Sequence, residues 1–199
     1  MANTSATGGY LAPISTNGNL DDDAFSIFLQ NLIVGLTQLP GNLVRPRWQP
    51  EPGNLPNYGT DWCAVGTIGR TGDTYPLVKH VSVDGGMNIV YRNQELSVLA
   101  SFYGPNCESY ADLVCMGLAV AQNREVLKAN GHALEKCSYP VMLADLINEK
   151  WTRRVDLNFT LRRAQTFTYP VLDLEGAEVE MITDSGLPPI QINIEKGAQ

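Results

Sequence analysis

The sequence is poor in the residues from which most enzyme sites are built. Its 199 residues include two histidines, His80 and His132, and four cysteines, Cys63, Cys107, Cys115 and Cys137, with no Cys-x-x-Cys pair. A zinc site of ordinary spacing is therefore excluded, and the thiols read as reduced and mostly buried, as in a cytosolic protein. There is no Gly-x-Ser-x-Gly elbow and no His-Glu-x-x-His motif. The glycines of "GTIGRTGDT" at 66–74 lack the Gly-Lys-Ser/Thr ending of a phosphate loop and precede a turn, so they read as turn glycines. Cys63 with His80, oriented by Asp61 or Asp84, is the one nucleophile-and-base pair to consider, and nothing in its spacing favours it. No cofactor or metal is expected.

Long apolar runs are missing too. None approaches the roughly 20 residues of a membrane span. The first twenty residues have neither the basic start nor the apolar core of a signal peptide, and they read as a flexible arm. The expectation is a protein that stays in the compartment where it is made.

Positive charge is also scarce. Fourteen Lys and Arg face 21 Asp and Glu, for a net charge of −7 and a pI near 4.8. That argues against a dedicated nucleic-acid binder, whose affinity comes from cations on phosphates. The charges are unevenly spread, however. Arg153, Arg154, Arg162 and Arg163 are four of nine arginines, Arg45 and Arg47 sit together in "NLVRPRWQP", and Asp173 to Asp184 holds five acids and no base. Separate basic and acidic stretches suit a subunit whose patch meets its neighbour's complement.

What is present is pattern. Phe25, Phe28, Leu29, Leu32, Ile33 and Leu36 recur every three or four residues over 22–38, which predicts an amphipathic helix capped by Asp21–Asp23 and ended by "LPG". Pro40 to Thr60 holds five prolines and three glycines, so 42–60 reads as a long irregular loop, with Trp48 beside two arginines as an interface anchor or a lid on the core. Strands are predicted at 61–70, 75–83 and 87–104, and a second helix from Ser109 to about Asn130 buries Leu113, Met116, Val120 and Leu127. His132 follows its end, where an imidazolium suits the helix dipole. A short strand near 134–138, an irregular "YPVMLADLINE", a long strand in "WTRRVDLNFTLRR" and another strand near 178–183 complete the chain. In the long strand Val155, Leu157, Phe159 and Leu161 alternate with Arg154, Asp156, Asn158, Thr160 and Arg162.

The fold expected is α+β: one domain, a mostly antiparallel sheet with two main helices. Its bounds are an arm at 1–20, the domain at 21–184 and a tail at 185–199.

Three stretches carry a resemblance: "GLTQLPGNLVRPRWQPEPGNLPNYGTDWCAVG", "ELSVLASFYGPNCESYADLV" and "RRVDLNFTLRRAQTFTYPVLDL". Together they resemble the neck-terminator, or tail-terminator, proteins of tailed bacteriophages, contractile-tailed ones included. The resemblance implies a structural virion protein without catalytic residues, assembled in the host cytoplasm. It implies a ring, usually six-fold, on the head-proximal end of the tail tube, ending tube growth and meeting the head-to-tail connector. Partners would be further copies of the chain, the tail tube protein, the sheath and the connector. DNA would only pass through the lumen, and no membrane is involved. A connector-side head-completion adaptor, a small enzyme using Cys63 and His80, and a nucleic-acid module remain as alternatives.

In a ring the residues expected at the joint are Arg45, Arg47, Trp48, Arg153, Arg154, Arg162 and Arg163, with Glu178, Glu180 and Asp184 as acidic partners. Replacing Arg154 and Arg162 by Glu is expected to block the ring and leave the monomer folded.

Overall fold

The structure is a computed structural model that describes residues 3–16, 22–49, 53–82, 85–147, 149–173, 176–181 and 190–195. In chain order the elements are β1 (Ser15–Thr16), α1 (Asp22–Thr37), β2 (Val44–Pro46), β3 (Trp62–Gly72), β4 (Leu77–Val81), β5 (Met87–Tyr103), α2 (Cys107–Ala119), α3 (Ala121–Ala129), β6 (His132–Cys137), β7 (Val141–Ile147), β8 (Lys150–Pro170), β9 (Gly176–Met181) and β10 (Ile190–Glu195). Strand order runs β1-β8-β5-β3-β2, with β4 on β5 and both β6 and β7 on β8, while β9 and β10 pair with each other. The sheet is mostly antiparallel, with β2 and β3 parallel, and the fold is α+β as expected.

Contacts divide the chain into two compact units. The larger comprises Asn17–Pro76 and Tyr91–Thr166. Its core follows from two periodicities. Phe25, Leu29, Leu32 and Ile33 form the inward stripe of α1, and Cys107, Ala111, Val114 and Leu118 that of α2. Every second residue of the strands meets them: Cys63 and Val65 on β3, Leu96, Val98, Ala100 and Phe102 on β5, and Val155, Leu157, Phe159 and Leu161 on β8. The register pairs Cys63 with Phe102 and Val65 with Ala100, so these positions share one face and the helices cover it. Burying each of the Val, Leu, Ile and Phe side chains among them contributes about 1.5–3 kcal/mol.

The turn from β5 into α2 needs glycine. Gly104 has φ +109°, and a Cβ there would lie 2.5 Å from Asp61 Oδ1. Asp61 holds the start of α2, where Oδ1 accepts the Asn106 backbone N–H and Oδ2 accepts its side-chain amide, each at 2.8 Å. A carboxylate there also suits the positive end of the helix dipole.

Several expectations are corrected. The helix predicted from Ser109 to Asn130 is two helices, because Val120 is extended, at φ −70° and ψ 130°. Carbonyls freed at the end of α2 are taken up by the Asn123 amide on Gly117 O (2.8 Å) and by Arg124 Nη2 on Ala119 O (2.6 Å). Of its predicted inward residues only Leu127 is buried; Leu113, Met116 and Val120 are exposed. The inward stripe instead takes the small residues Cys107 and Ala111, which admit a close helix, and leaves larger apolar ones outside. The "YPVMLADLINE" segment contains a regular strand, β7, paired from Val141↔Asp156 to Ile147↔Lys150. Its apolar run lacks the alternation that marks a half-buried strand. Within the predicted loop, β2 pairs parallel to β3 at the end of the strand order, where Pro46 is tolerated.

The smaller unit comprises Met1–Thr16, Leu77–Val90 and Phe167–Gln199. In it β1 pairs with the end of β8, Ser15 opposite Thr168 and Thr16 opposite Phe167. His80 joins Asn88 Oδ1 at 2.8 Å and Asp173 Oδ1 at 3.2 Å. The β9–β10 ribbon sets Glu180 opposite Gln191 and Glu178 opposite Asn193, and β10 falls within the predicted tail.

Candidate assembly surfaces

Residues alternating with the core positions form the open face of the larger unit's sheet, away from the helices. Arg154 lies at its centre. Its Nε and Nη2 donate to the two oxygens of Asp156 at 2.8 and 2.7 Å, and Nη1 reaches Asp145 Oδ2 at 3.3 Å. The guanidinium also lies 5.8 Å from the centre of the Tyr103 ring, which stacks on Trp62 at 4.2 Å. The Asp156 hydrogen bonds hold Arg154 still more firmly protonated. This arginine, expected to reach a neighbour, is thus engaged by carboxylates of its own chain.

Arg47 approaches the same spot from the other side. Its Nη2 donates to Ser101 Oγ, a hydroxyl that Arg154 Nη2 also contacts at 3.5 Å. Its backbone N–H donates to Val65 O at 2.7 Å. Gly66 makes this possible, since a Cβ there would lie 2.8 Å from Arg47 Cβ. Among the described residues the buried Nε of Arg47 has no hydrogen-bond partner. Arg45 donates from Nη1 to Asn54 O at 2.7 Å. Both arginines line a pocket of about 210 Å³ with Gln49, Leu55, Trp62 and Ala64. Among the described residues no carboxylate pairs with either.

The other predicted site residues fall apart from this cluster. Trp48 is 71% exposed, with its indole N–H donating to Thr67 O at 3.0 Å. Arg153 is exposed beside Trp151, and Arg162 is exposed near Asp73 and Glu95. Arg163 is turned inward: it is 6% exposed, donates to Gln94 Oε1 at 3.1 Å and lies over the Phe25 ring. Strand alternation puts it on the face of Leu161, so it leaves the set of surface arginines. Glu178 and Glu180 belong to β9, and Asp184 and Asp84 lie outside the described residues. Sequence reasoning missed Asp145 and Ser101; Asp145 sits in the segment read as irregular, and Ser101 in an otherwise apolar strand.

The remaining titratable groups serve packing. Cys63 is fully buried, and burial pushes its thiol far above the ordinary range, which Arg47 opposes only in part. A thiol held protonated is a poor nucleophile. Asp61 is committed to capping α2. Burial pushes the Cys137 thiol up to about 12, helped by its contact with Cys115 at 3.5 Å. His132 is not held as the imidazolium expected at a helix end. Its ring stacks against both Phe25 and Phe28, with centres 5.1 and 5.0 Å away, neither ring nitrogen has a hydrogen-bond partner among the described residues, and burial, with a further push from Arg163, lowers its pKa.

Apolar side chains emerge on two other surfaces. Leu113, Met116, Val120 and Val126 do so from α2 and α3, with Met116 68% exposed. The β7–β8 hairpin bares Val141, Met142, Leu143, Leu146 and Trp151.

Among the described residues no helix is long and apolar enough to cross a membrane, and no three His, Cys, Asp or Glu are grouped to hold a metal. Comparison with curated proteins finds no match. Comparison with family models matches residues 23–185 to the phage neck terminator protein family. That span runs from α1 past β9, so the chain belongs to the phage neck terminator family and is a structural protein of the phage neck and tail.

Proposed function

We propose that copies of this chain join head to tail into a ring, of six by the family resemblance, at the head-proximal end of the tail tube. There the ring ends tube growth, contractile-tail sheath included, and offers its other side to the head-to-tail connector. One observation carries this reading. The larger unit bares two unlike apolar surfaces, the α2–α3 face and the β7–β8 hairpin. A head-to-tail joint needs two unlike patches on every copy, whereas a two-fold dimer needs only one self-complementary patch. The charges agree: Glu108 and Asp112 are exposed on α2, while Lys150 and Arg153 are exposed at the hairpin beside Trp151. Arg162 and Trp48 add exposed groups that a neighbour, the tube or the connector can meet. The net negative charge suits a lumen through which DNA slides without sticking.

The test is a pair of variants. Met116→Asp with Val120→Asp, or Leu143→Asp with Leu146→Asp, should each abolish ring-sized species in native mass spectra and tail completion in particle images. All four positions are exposed, so the melting temperature should stay within a few degrees of the wild type. Normal rings from both variants would refute the reading.

A further inference from the structure

We infer that Arg45 and Arg47 form a two-pronged receptor for Glu178 and Glu180 of a neighbouring copy of this chain. The inference rests on the ring reading and supplies it with an ionic joint. Three observations lead there.

The first is an imbalance of charge. Arg154 is matched by Asp156 and Asp145, while Arg45 and Arg47, lining one pocket, pair with no carboxylate among the described residues. A guanidinium without a counter-charge gains a strong, geometry-fixing pair when a carboxylate arrives. The pocket of about 210 Å³ admits side-chain carboxylates and is bounded by Trp62, Leu55 and Gln49.

The second is where the complementary charge lies. The stretch from Asp173 to Asp184 has five acids and no base. In β9 it becomes one strand of a ribbon, with Glu178 and Glu180 at alternate register positions and therefore on one face of that ribbon. Ala177, Val179 and Met181 fall on the opposite face, together with Ile190, Ile192 and Ile194.

The third is spacing. Arg45 lies in β2 and Arg47 one residue beyond it, its N–H still bonded to Val65 of β3. Two residues of extended chain separate the arginines, and two separate the glutamates, about 6.7 Å in each case. Two strands of equal pitch can thus align two ion pairs at once, the arrangement in which an arginine–carboxylate contact also fixes geometry. A DNA phosphate is the competing anion, but phosphates come as a continuous chain of charge, and this site is a small pocket on a net acidic protein.

The experiment uses the full chain in two charge-swapped forms, one with Arg45→Glu and Arg47→Glu, the other with Glu178→Arg and Glu180→Arg. Each form alone sets like charges at every joint, so ring-sized species should fall at least tenfold in native mass spectra. Mixed together, alternating chains meet opposite charges at every joint, and even-numbered rings containing equal numbers of the two forms should reappear. Pairing within one chain cannot be rescued by mixing. The absence of mixed rings, or swapped forms that assemble as the wild type does, overturns the inference.

Circular dichroism melts check that each form folds. If the Arg47 change unfolds the chain, Arg45→Glu alone enters the same mixing experiment. Duplex DNA binding that is lost with Arg45→Glu while rings persist would overturn the inference in favour of a phosphate ligand. A wild type that stays monomeric both free and on tail tubes removes the ring reading and this inference together. Wild-type rings without mixed rescue remove this inference alone.

Discussion

Asp156 and Leu157 are neighbours on β8 and both are nearly sealed from water, Asp156 at 9% exposure and Leu157 at 0%. Leu157 belongs to the apolar core that α1, α2, β3, β5 and β8 build together. Asp156 is sealed by one arginine that grips both of its oxygens. The helix-covered face of the sheet is therefore held by packing, which many apolar sequences could supply. The open face is held by directional charge pairing, which only particular residues supply. Within that open face Arg154 and Arg47 differ in the same spirit: both contact the Ser101 hydroxyl, and among the described residues Arg154 has carboxylate partners while Arg47 has none. The contrast separates a face held by packing from a face held by charge pairing.

The contrast breaks most visibly at the core. Leu157→Ala should destabilise the chain by about 3–4 kcal/mol, within the range for fully buried leucines, read from the denaturant midpoint. Arg154→Ala should come next, at roughly 2–3 kcal/mol, because it leaves Asp156 shielded from water without its counter-charge. That estimate sits below the figure for fully buried pairs because 23% of the Arg154 side chain remains exposed. Adding Asp156→Ala to that variant should recover part of the loss, as a double-mutant cycle would show. For the same reason Arg154→Glu should weaken the fold itself, rather than block assembly with the monomer intact.

A third effect is smaller and depends on pH. The pKa of His132 is lowered in the folded chain, so the unfolded chain takes up its proton first as pH falls. The contribution of neutral His132 to stability is therefore complete above the ordinary histidine value of about 6.5 and declines as pH drops below it. Urea midpoints at pH 7.5 and 5.5 should differ in the wild type, and the difference should shrink in His132→Phe. The smallest effect should be Arg162→Glu. Arg162 is exposed, so stability should change by no more than about 0.5 kcal/mol, while any loss of tail assembly in this variant would place it at a joint.

Much of this was readable in the residues, and the exceptions share a cause. The α1 stripe and the alternation of β8 were plain because burial on one face imposes a period. The interruption at Val120 was not, because the two helices share one continuous polar and apolar pattern, and the break is held by Asn123 and Arg124 bonding to carbonyls at the end of α2. Strand β7 was hidden because its apolar residues are exposed rather than turned to the core, so they carry no alternation. Among the arginines, sequence marked the type of residue but not its partner. Arg154 meets an acid two residues along the chain and another nine residues away, Arg163 goes inside, and Arg45 and Arg47 converge on a pocket that only the parallel pairing of β2 with β3 creates.

The central claim, that this neck terminator works as a closed ring joined by unlike surfaces, is tested most directly by native mass spectrometry of the wild-type chain across concentration and salt, with and without tail tubes. The account expects one discrete ring-sized species, six copies by the family resemblance, with no ladder of open-ended oligomers. A chain that remains monomeric in solution and on tubes, or that stops at a two-fold dimer, would contradict it.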